Sequence, residues 1–181
     1  MQVMDKVADQ IARYVHKNAE NPSSKAVLKY AVLNIMDTII VFAVVLAICL
    51  ATGHFWNGLV AVTAFPILRN YSGGMHLYSP RACNVLSAFF VIAAAHVSFP
   101  FWFVGLSLNL VSLVLVLIYA PANIRGYSRA DESAYRKAKI IAALIVSANF
   151  LIQSPVLSAV FLLQSVTLPQ ISQKLANFIK I

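Results

Sequence analysis

Long apolar runs, separated by short polar or charged stretches, constrain this chain more than any other feature of its sequence. The first of them, Leu33 to Thr52, is interrupted by Asn34 and Asp37 near its start. A membrane span needs about 20 mostly apolar residues. Hydrophobic residues make up 60% of the chain and charged residues 11%, whereas a soluble domain carries about 25% charged residues. We therefore predict an all-α, polytopic membrane protein.

The positions of the apolar runs predict six transmembrane helices in three hairpins, at Leu33–Thr52, Phe55–Leu68, Val85–Trp102, Phe103–Ala120, Ile140–Ile152 and Val156–Leu168. Lysines and arginines occur before the first run, after the second, after the fourth and after the sixth. They are absent from the connections Ala51–Asn57, His96–Trp102 and Gln153–Pro155. Since basic loops stay on the cytoplasmic side, both termini are predicted to be cytoplasmic. The alternative is four spans, with Phe55–Leu68 and one late segment re-entrant.

The formal net charge of +8 lies in these short blocks between apolar runs. Nucleic-acid binding uses basic patches to neutralise phosphates. Basic residues grouped in the loops between apolar runs are instead typical of a membrane protein with cytoplasmic basic loops. We predict membrane lipids and an acidic substrate as partners, and no nucleic acid. The segment Met1–Glu20 has no compact apolar core or small-residue cleavage site, so we expect the N-terminus to be retained.

The segment 1–30 begins with a predicted amphipathic helix. Its apolar residues recur every three or four positions, as helix periodicity requires, at Val3, Val7, Ile11, Tyr14 and Val15. Such a helix can lie flat at the cytoplasmic membrane interface. The alternative is that it packs on a partner subunit or on loops of the same chain.

The polar segment 69–84 carries the residues with the richest chemistry. His76 and Cys83 are a base and a nucleophile of the kind that cysteine peptidases use, where an imidazole takes and returns the thiol proton. Seven positions separate them, so a loop can bring the two side chains together. We predict His76 and Cys83 as catalytic residues. Ser72, Asn84 and a backbone carbonyl remain open as the group that orients His76.

Local sequence favours Cys83 over Cys49 as the reactive thiol. Ser79-Pro80 is a typical helix start, with serine as N-cap and proline at the first helical position. Cys83 then lies in or just after the first turn, where the helix dipole and the adjacent Arg81 favour an anion. Cys49 falls within an apolar run and is interpreted as a small apolar residue. The two cysteines are predicted to lie apart, without a disulfide.

The remaining candidates in this segment are predicted to bind substrate: Arg69, Gly73, Gly74 and Arg81. The glycines allow a close approach of backbone and substrate, or a positive φ, and their N–H groups are possible donors to an oxyanion. The arginines have an alternative role as topology anchors. We predict no metal and no cofactor, because two ligands do not complete a zinc site.

This segment resembles the signature of the accessory gene regulator B (AgrB) family of membrane cysteine peptidases. The resemblance rests on Arg69, the run Gly73-Gly74-Met75-His76, and Cys83. A second similarity lies at Tyr119–Asn123, which is followed by the basic stretch from Arg125 to Lys139. When the chain length and the hairpin pattern are included, the resemblance covers most of the chain.

The resemblance implies a specific activity. Cys83 would attack a peptide bond of a small quorum-sensing precursor, release its C-terminal tail and form an acyl-enzyme thioester, with His76 as base and then acid. Capture by a side chain within the precursor would give a thiolactone or lactone autoinducing peptide. The implied precursor has an amphipathic leader and an acidic tail. A homodimer in the cytoplasmic membrane of a Gram-positive bacterium is also implied.

On this reading, residues 1–181 form a single membrane-embedded peptidase domain, with a catalytic loop at 69–84 and a basic cytoplasmic loop at 122–139. Two other classes of function remain open. A small peptide exporter would line a path with intramembrane polar residues, for which Asp37, Asn109 and Gln164 are the candidates. A non-catalytic membrane scaffold would make the Gly-Gly, His and Cys pattern a coincidence.

Overall fold

The computed structural model describes residues 2–19, 23–75, 77, 80–122 and 132–179. Within these ranges every named element is a helix, so the predicted all-α class is confirmed. The elements are α1 (Gln2–Asn18), α2 (Lys25–Ala51), α3 (Phe55–Ser72), α4 (Pro80–Ala95), a π-helical turn (Phe101–Gly105) continuous with α5 (Leu106–Tyr119), α6 (Glu132–Ile152), α7 (Pro155–Val166) and α8 (Gln170–Ile179).

Each of the six predicted apolar runs overlaps a helix, from α2 to α7, although the bounds differ. Among the described residues, α2 and the segment Phe101–Tyr119 are long and apolar enough to cross a membrane. The apolar stretches Ala82–Ala95 and Pro155–Val166 are shorter. Large apolar side chains such as Ile39, Val44 and Leu117 remain exposed, which suits contact with lipid rather than with water.

The run Val85–Trp102 differs from the helix that it predicted, because α4 already ends at Ala95. Residues 97–100 are extended or irregular, and the next helical residues begin only at Phe101. Pro100 accounts for this break, since proline and the residue before it both disfavour the interior of a helix. The short helix α8 was not predicted from the sequence.

The chain divides into two compact units, Met1–Val44 and Val45–Ile181, with the boundary inside α2. In the first unit, ion pairs join α1 to the beginning of α2. Lys25 Nζ lies 3.2 Å from Asp9 Oδ1, Lys29 Nζ lies 3.4 Å from Asp5 Oδ1, and Arg13 also pairs with Asp9. The apolar face of α1, predicted from helix periodicity, is largely exposed at Val7, Ile11, Tyr14 and Val15.

In the second unit, α7 is the helix around which the others pack. It contacts α3, α4, α5 and α6, and all six residues from Val156 to Phe161 are buried. A helix that is apolar on every side belongs in the interior of a bundle or a membrane. The connection between α6 and α7 lies at Gln153 and Ser154, and the Ser154 hydroxyl accepts from the Leu157 N–H at 3.3 Å as an N-cap.

A buried polar network connects α5, α6 and α7. Asn149 Nδ2 lies 3.2 Å from Asn109 Oδ1 and 2.9 Å from Ser158 Oγ, while the Ser154 N–H donates to Asn149 Oδ1 at 3.0 Å. Asn109 Nδ2 in turn donates to the Val146 carbonyl at 3.1 Å. Buried amides are costly unless they are paired, and here each of the two is paired within the bundle.

Cys49 packs closely against α3. An added Cβ at Gly58 would lie 2.6 Å from both Cβ and Sγ of Cys49, so glycine is what allows α2 and α3 to approach here. Cys49 is fully buried and its thiol is free. Its interpretation as a small apolar helix residue is confirmed.

Candidate active site

Cys83 lies at the end of the first turn of α4, which begins at Pro80. The helix start predicted from Ser79-Pro80 is therefore confirmed at the proline, while Ser79 lies outside the described residues. The Cys83 thiol is free and half-buried. The positive end of the α4 dipole favours an anion at this position, which suits a cysteine that reacts as its thiolate.

The side chain of Arg69, in the last turn of α3, reaches this sulfur. Arg69 Nη2 lies 3.3 Å from Cys83 Sγ and donates to the carbonyl of Met75 at 2.8 Å. A guanidinium is charged at every accessible pH, and a cation beside a thiol favours the thiolate. Arg69 thus supplies a fixed positive charge beside Cys83.

Gly73 and Gly74 leave α3 in a backbone conformation that side chains rarely adopt, with φ of 71° and 150°. Gly73 forms an isolated parallel bridge with Ala122. In it, the Ala122 N–H donates to the Ser72 carbonyl at 2.9 Å, and the Gly74 N–H donates to the Ala122 carbonyl at 3.3 Å. An added Cβ at Gly73 would lie 2.1 Å from the Ala122 carbonyl oxygen, so the close approach requires glycine.

The N–H groups of this segment have carbonyl partners within the protein. The Gly73 N–H donates to the Arg69 carbonyl at 2.9 Å, and the Met75 N–H donates to the Thr167 carbonyl at 2.9 Å. With the Gly74 bond to Ala122, all three donors are occupied in this conformation. In this conformation the two glycines allow close packing of backbone against backbone.

Gln164, near the end of α7, forms hydrogen bonds with both Arg69 and the Gly73 backbone. Its Nε2 donates to the Gly73 carbonyl at 2.7 Å and to Ser72 Oγ at 3.2 Å. Its Oε1 accepts from Arg69 Nη1 at 3.4 Å. The side chain is fully buried, and its donors and its acceptor are all engaged, as a buried amide requires.

The structure brings together four of the six residues predicted for this site: Cys83, Arg69, Gly73 and Gly74. His76 lies outside the described residues, as does the side chain of Arg81, whose backbone belongs to the first turn of α4. The roles predicted for these six residues stay predictions.

The groups considered as orienters of His76 are also placed. Ser72 Oγ is buried and bonded to Gln164 and to the Gly73 carbonyl. Asn84 Nδ2 is buried and has no hydrogen-bond partner among the described residues. The segment Tyr119–Asn123, singled out by its resemblance, contributes Ala122 to the site, and the basic stretch that follows is described only from Glu132 onward.

Sequence reasoning missed Gln164 and Thr167 as parts of this site. Gln164 was considered only as an intramembrane polar residue of a possible exporter. The available signal was weak: it is a glutamine in the last third of an apolar run, and such a residue needs a buried partner. No pattern in the sequence of α7 indicates that this partner is the Gly73-Gly74 segment, which follows α3.

These features define a class. It is a helical protein with apolar, membrane-length helices, in which a thiol at a helix start lies beside a half-buried guanidinium. Comparison with known proteins is more specific. The family model described as Accessory gene regulator B matches residues 6–175, and the chain belongs to this AgrB family. With its apolar helices, this membership indicates a membrane protein.

Curated relatives agree with this family. A protein named Putative AgrB-like protein, from Halalkalibacterium halodurans, is 28% identical over 120 residues, which are 66% of this chain and 61% of the relative. Accessory gene regulator protein B of Staphylococcus epidermidis is 27% identical over 130 residues, 67% of this chain and 65% of the relative. The similarity thus spans less than two thirds of these relatives. No solved structure matches the chain.

Proposed function

We propose that this protein is a membrane cysteine endopeptidase, with Cys83 as the nucleophile, that removes the C-terminal tail of a small quorum-sensing precursor peptide. The observation that carries the proposal is the contact of 3.3 Å between Arg69 Nη2 and Cys83 Sγ at the start of α4. A thiol with both a cation and a helix N-terminus beside it is suited to react as a thiolate. The same chain belongs to the AgrB family.

The reaction begins with attack of the Cys83 thiolate on the carbonyl carbon of the scissile peptide bond. The C–N bond then breaks, His76 gives a proton to the leaving amine, and the tail departs. The precursor stays attached to Cys83 as a thioester. A thiol or hydroxyl within the precursor attacks this thioester, the ring closes as a thiolactone or lactone, and the Cys83 thiol is regenerated.

Ring closure competes with hydrolysis when the internal nucleophile is held close to the thioester. Proximity of this kind gives large effective concentrations. The proposed substrate has an amphipathic leader that keeps it at the membrane and an acidic tail that suits the basic residues of 122–139. Because this region carries Arg125, Arg129, Arg136, Lys137 and Lys139, it offers several cationic partners for that tail.

The proposed topology is six spans in three hairpins, with both termini and the segment 69–84 on the cytoplasmic side. The charge pattern of the connections supports it. It places Cys83 in a reducing compartment, where a free thiolate persists. The protein is proposed to act as a homodimer in the cytoplasmic membrane of a Gram-positive bacterium.

The exporter alternative has less support. Asn109 and Gln164, two of its three candidate residues, are fully buried. Both are hydrogen-bonded to protein groups, Asn109 in the network with Asn149 and Gln164 at the Gly-Gly segment. Residues that line a transport path face water or substrate, and these two side chains face other helices.

The test is co-expression with a small precursor peptide that carries an internal cysteine or serine and an acidic tail, with the released tail measured by mass spectrometry. Cys83→Ala and His76→Ala should each abolish release while the protein remains in the membrane. Cys49→Ala is the matched control, since it removes the other thiol, and it should cleave normally. Cleavage at the normal rate by Cys83→Ala or His76→Ala would contradict the proposal.

A further inference from the structure

We propose that Gln164 is a positioning residue, which acts from α7 to hold the Arg69 guanidinium against the sulfur of Cys83. The inference rests on the proposed function, because it assigns a role at the same site. Its starting point is that a buried amide from a distant part of the chain is bonded to Arg69 and to the Gly-Gly segment.

The orientation of the Gln164 amide follows from its partners. The Gly73 carbonyl can only accept a hydrogen bond, so the NH₂ group must face it, at 2.7 Å. The carbonyl oxygen of the amide is then directed to Arg69 Nη1, at 3.4 Å. Gln164 therefore presents an acceptor to the guanidinium, and it cannot do so in the flipped orientation without losing the Gly73 bond.

Arg69 needs such an anchor. A free arginine side chain samples many rotamers, so holding it in one orientation costs conformational entropy. Here one end of its planar fork is bonded to Gln164, and the other end is bonded to the Met75 carbonyl at 2.8 Å. With both ends held, Nη2 remains at 3.3 Å from Cys83 Sγ.

The same residue also holds the backbone that leads to His76. Gln164 Nε2 donates to the Gly73 carbonyl, and the carbonyl of Thr167, the residue directly after α7, accepts from the Met75 N–H at 2.9 Å. Residues at the end of α7 thus position two things: the Arg69 guanidinium beside the nucleophile and the backbone of the segment 73–75. Among the described residues, Arg69 is the charged group in contact with the Cys83 sulfur.

Glutamate in place of Gln164 changes these interactions without changing the shape of the side chain. A carboxylate cannot donate to the Gly73 carbonyl, and its charge pairs with Arg69 in competition with the thiolate. We therefore expect Gln164→Glu to disfavour the thiolate of Cys83. Gln164→Met keeps the length but gives Arg69 no strong acceptor, and we expect a smaller change in the same direction.

The experiment measures the rate of Cys83 alkylation by iodoacetamide against pH, in the full-length protein in lipid nanodiscs with Cys49→Ala as background. For Gln164→Glu, the midpoint of the profile should move up by about one pH unit, which makes alkylation about tenfold slower on the rising limb. At high pH the rate should reach the plateau of the parent protein. An equal plateau shows that the thiol is intact and accessible.

Ser165→Ala is the matched control. Ser165 is the next residue of α7, is also fully buried, and its Oγ has no hydrogen-bond partner among the described residues. Its alkylation profile should coincide with that of the parent. If Gln164→Glu does not accumulate in the membrane, Gln164→Met carries the test with the same expected direction.

A profile of Gln164→Glu with an unchanged midpoint overturns the positioning role, whether or not its plateau is lower, because a lower plateau alone indicates structural damage. This outcome is distinguishable from failure of the proposed function. In that second case Cys83→Ala would still release the precursor tail, a result that does not depend on Gln164.

Discussion

Gly73 and Ala122 are joined by a parallel backbone bridge so close that an added Cβ on Gly73 would lie 2.1 Å from the Ala122 carbonyl oxygen. This contact connects the end of α3 to the segment after α5. It explains why the two sequence patterns that resemble the AgrB family, although far apart in the chain, belong to one site. Because the contact is so close, a side chain at position 73 should not be tolerated.

Gly73→Ala should disrupt the site. Gly73 has φ of 71° and ψ of −149°, a backbone region that is essentially confined to glycine, so alanine there costs about 1–3 kcal/mol. The overlap with Ala122 adds to this. We expect precursor cleavage to fall by at least about tenfold, since 1.4 kcal/mol corresponds to that factor. Gly53→Ala is the control: its φ is 77°, but an added Cβ there meets nothing within 4 Å. Equal activity of the two variants would argue against the packing role.

Arg69→Lys should lower activity although the charge is retained. A lysine cannot bond Gln164, the Met75 carbonyl and the Cys83 sulfur together, as the planar fork of Arg69 does. Hydrogen bonds to charged groups contribute about 1.5–3 kcal/mol each, so we expect kcat/KM for precursor cleavage to fall about 10- to 100-fold. Arg136→Lys, at an exposed position of α6, should be neutral. Full activity of Arg69→Lys would show that charge alone is sufficient.

Asn149→Leu should destabilise the bundle of α5, α6 and α7. Asn149 takes part in four hydrogen bonds, with Asn109, Ser158 and twice with Ser154. Side-chain hydrogen bonds between membrane helices average about 0.6 kcal/mol, which predicts a loss of about 2 kcal/mol in the free energy of unfolding. The measurement is denaturant or thermal unfolding in detergent. Ser107→Ala, at an exposed serine of α5, should lie close to the parent.

Attachment of α1 to the start of α2 should weaken at acidic pH. Lys25, and then Arg13, hold the pKa of the Asp9 carboxyl below its ordinary value of 3.8. Since the folded-state pKa is lowered, the stabilisation is complete above the ordinary value and is lost as the pH falls through the lowered one. Hydrogen-exchange protection factors of α1 should therefore decrease between pH 6 and pH 3.

Asp9→Asn should show the lower protection already at pH 6, with little further change on acidification. Lys6→Gln changes the charge of the same helix away from these ion pairs, and it should keep the pH dependence of the parent. A parent protein whose α1 protection is constant from pH 6 to pH 3 would contradict the role given to Asp9.

Features that depend on neighbouring residues could be predicted from the sequence. Pro80 begins α4 and so puts Cys83 in its first turn, because proline fits the first position of a helix and few others. Ser154-Pro155 begins α7 for the same reason. Helix periodicity predicted the apolar face of α1, and the apolar runs predicted the positions of α3 and α5 to within about four residues. The beginning of α2 was not predicted, because this helix starts at Lys25, before its apolar run.

Features that depend on packing could not be predicted. Gln164 meets Gly73 only because α7 is surrounded by α3, α4, α5 and α6, and no local pattern contains that arrangement. The Gly73-Gly74 pair predicted unusual backbone, and the structure supplies its reason, which is the Ala122 carbonyl. Pro100 is visible in the sequence as a residue that breaks helices. The run Val85–Trp102 was nevertheless predicted as one helix, because only its hydropathy was considered.

The dependence of the Gly-Gly segment on α7 also sets an order of events while the protein is being made. The ribosome completes Arg69 and Cys83 well before Gln164 and Thr167. Until α7 has inserted and joined α3, the Gly73 carbonyl and the Arg69 guanidinium have no Gln164 to bind. A nascent chain therefore contains Cys83 and Arg69 before the Gln164 side chain that bonds Arg69 has been synthesised.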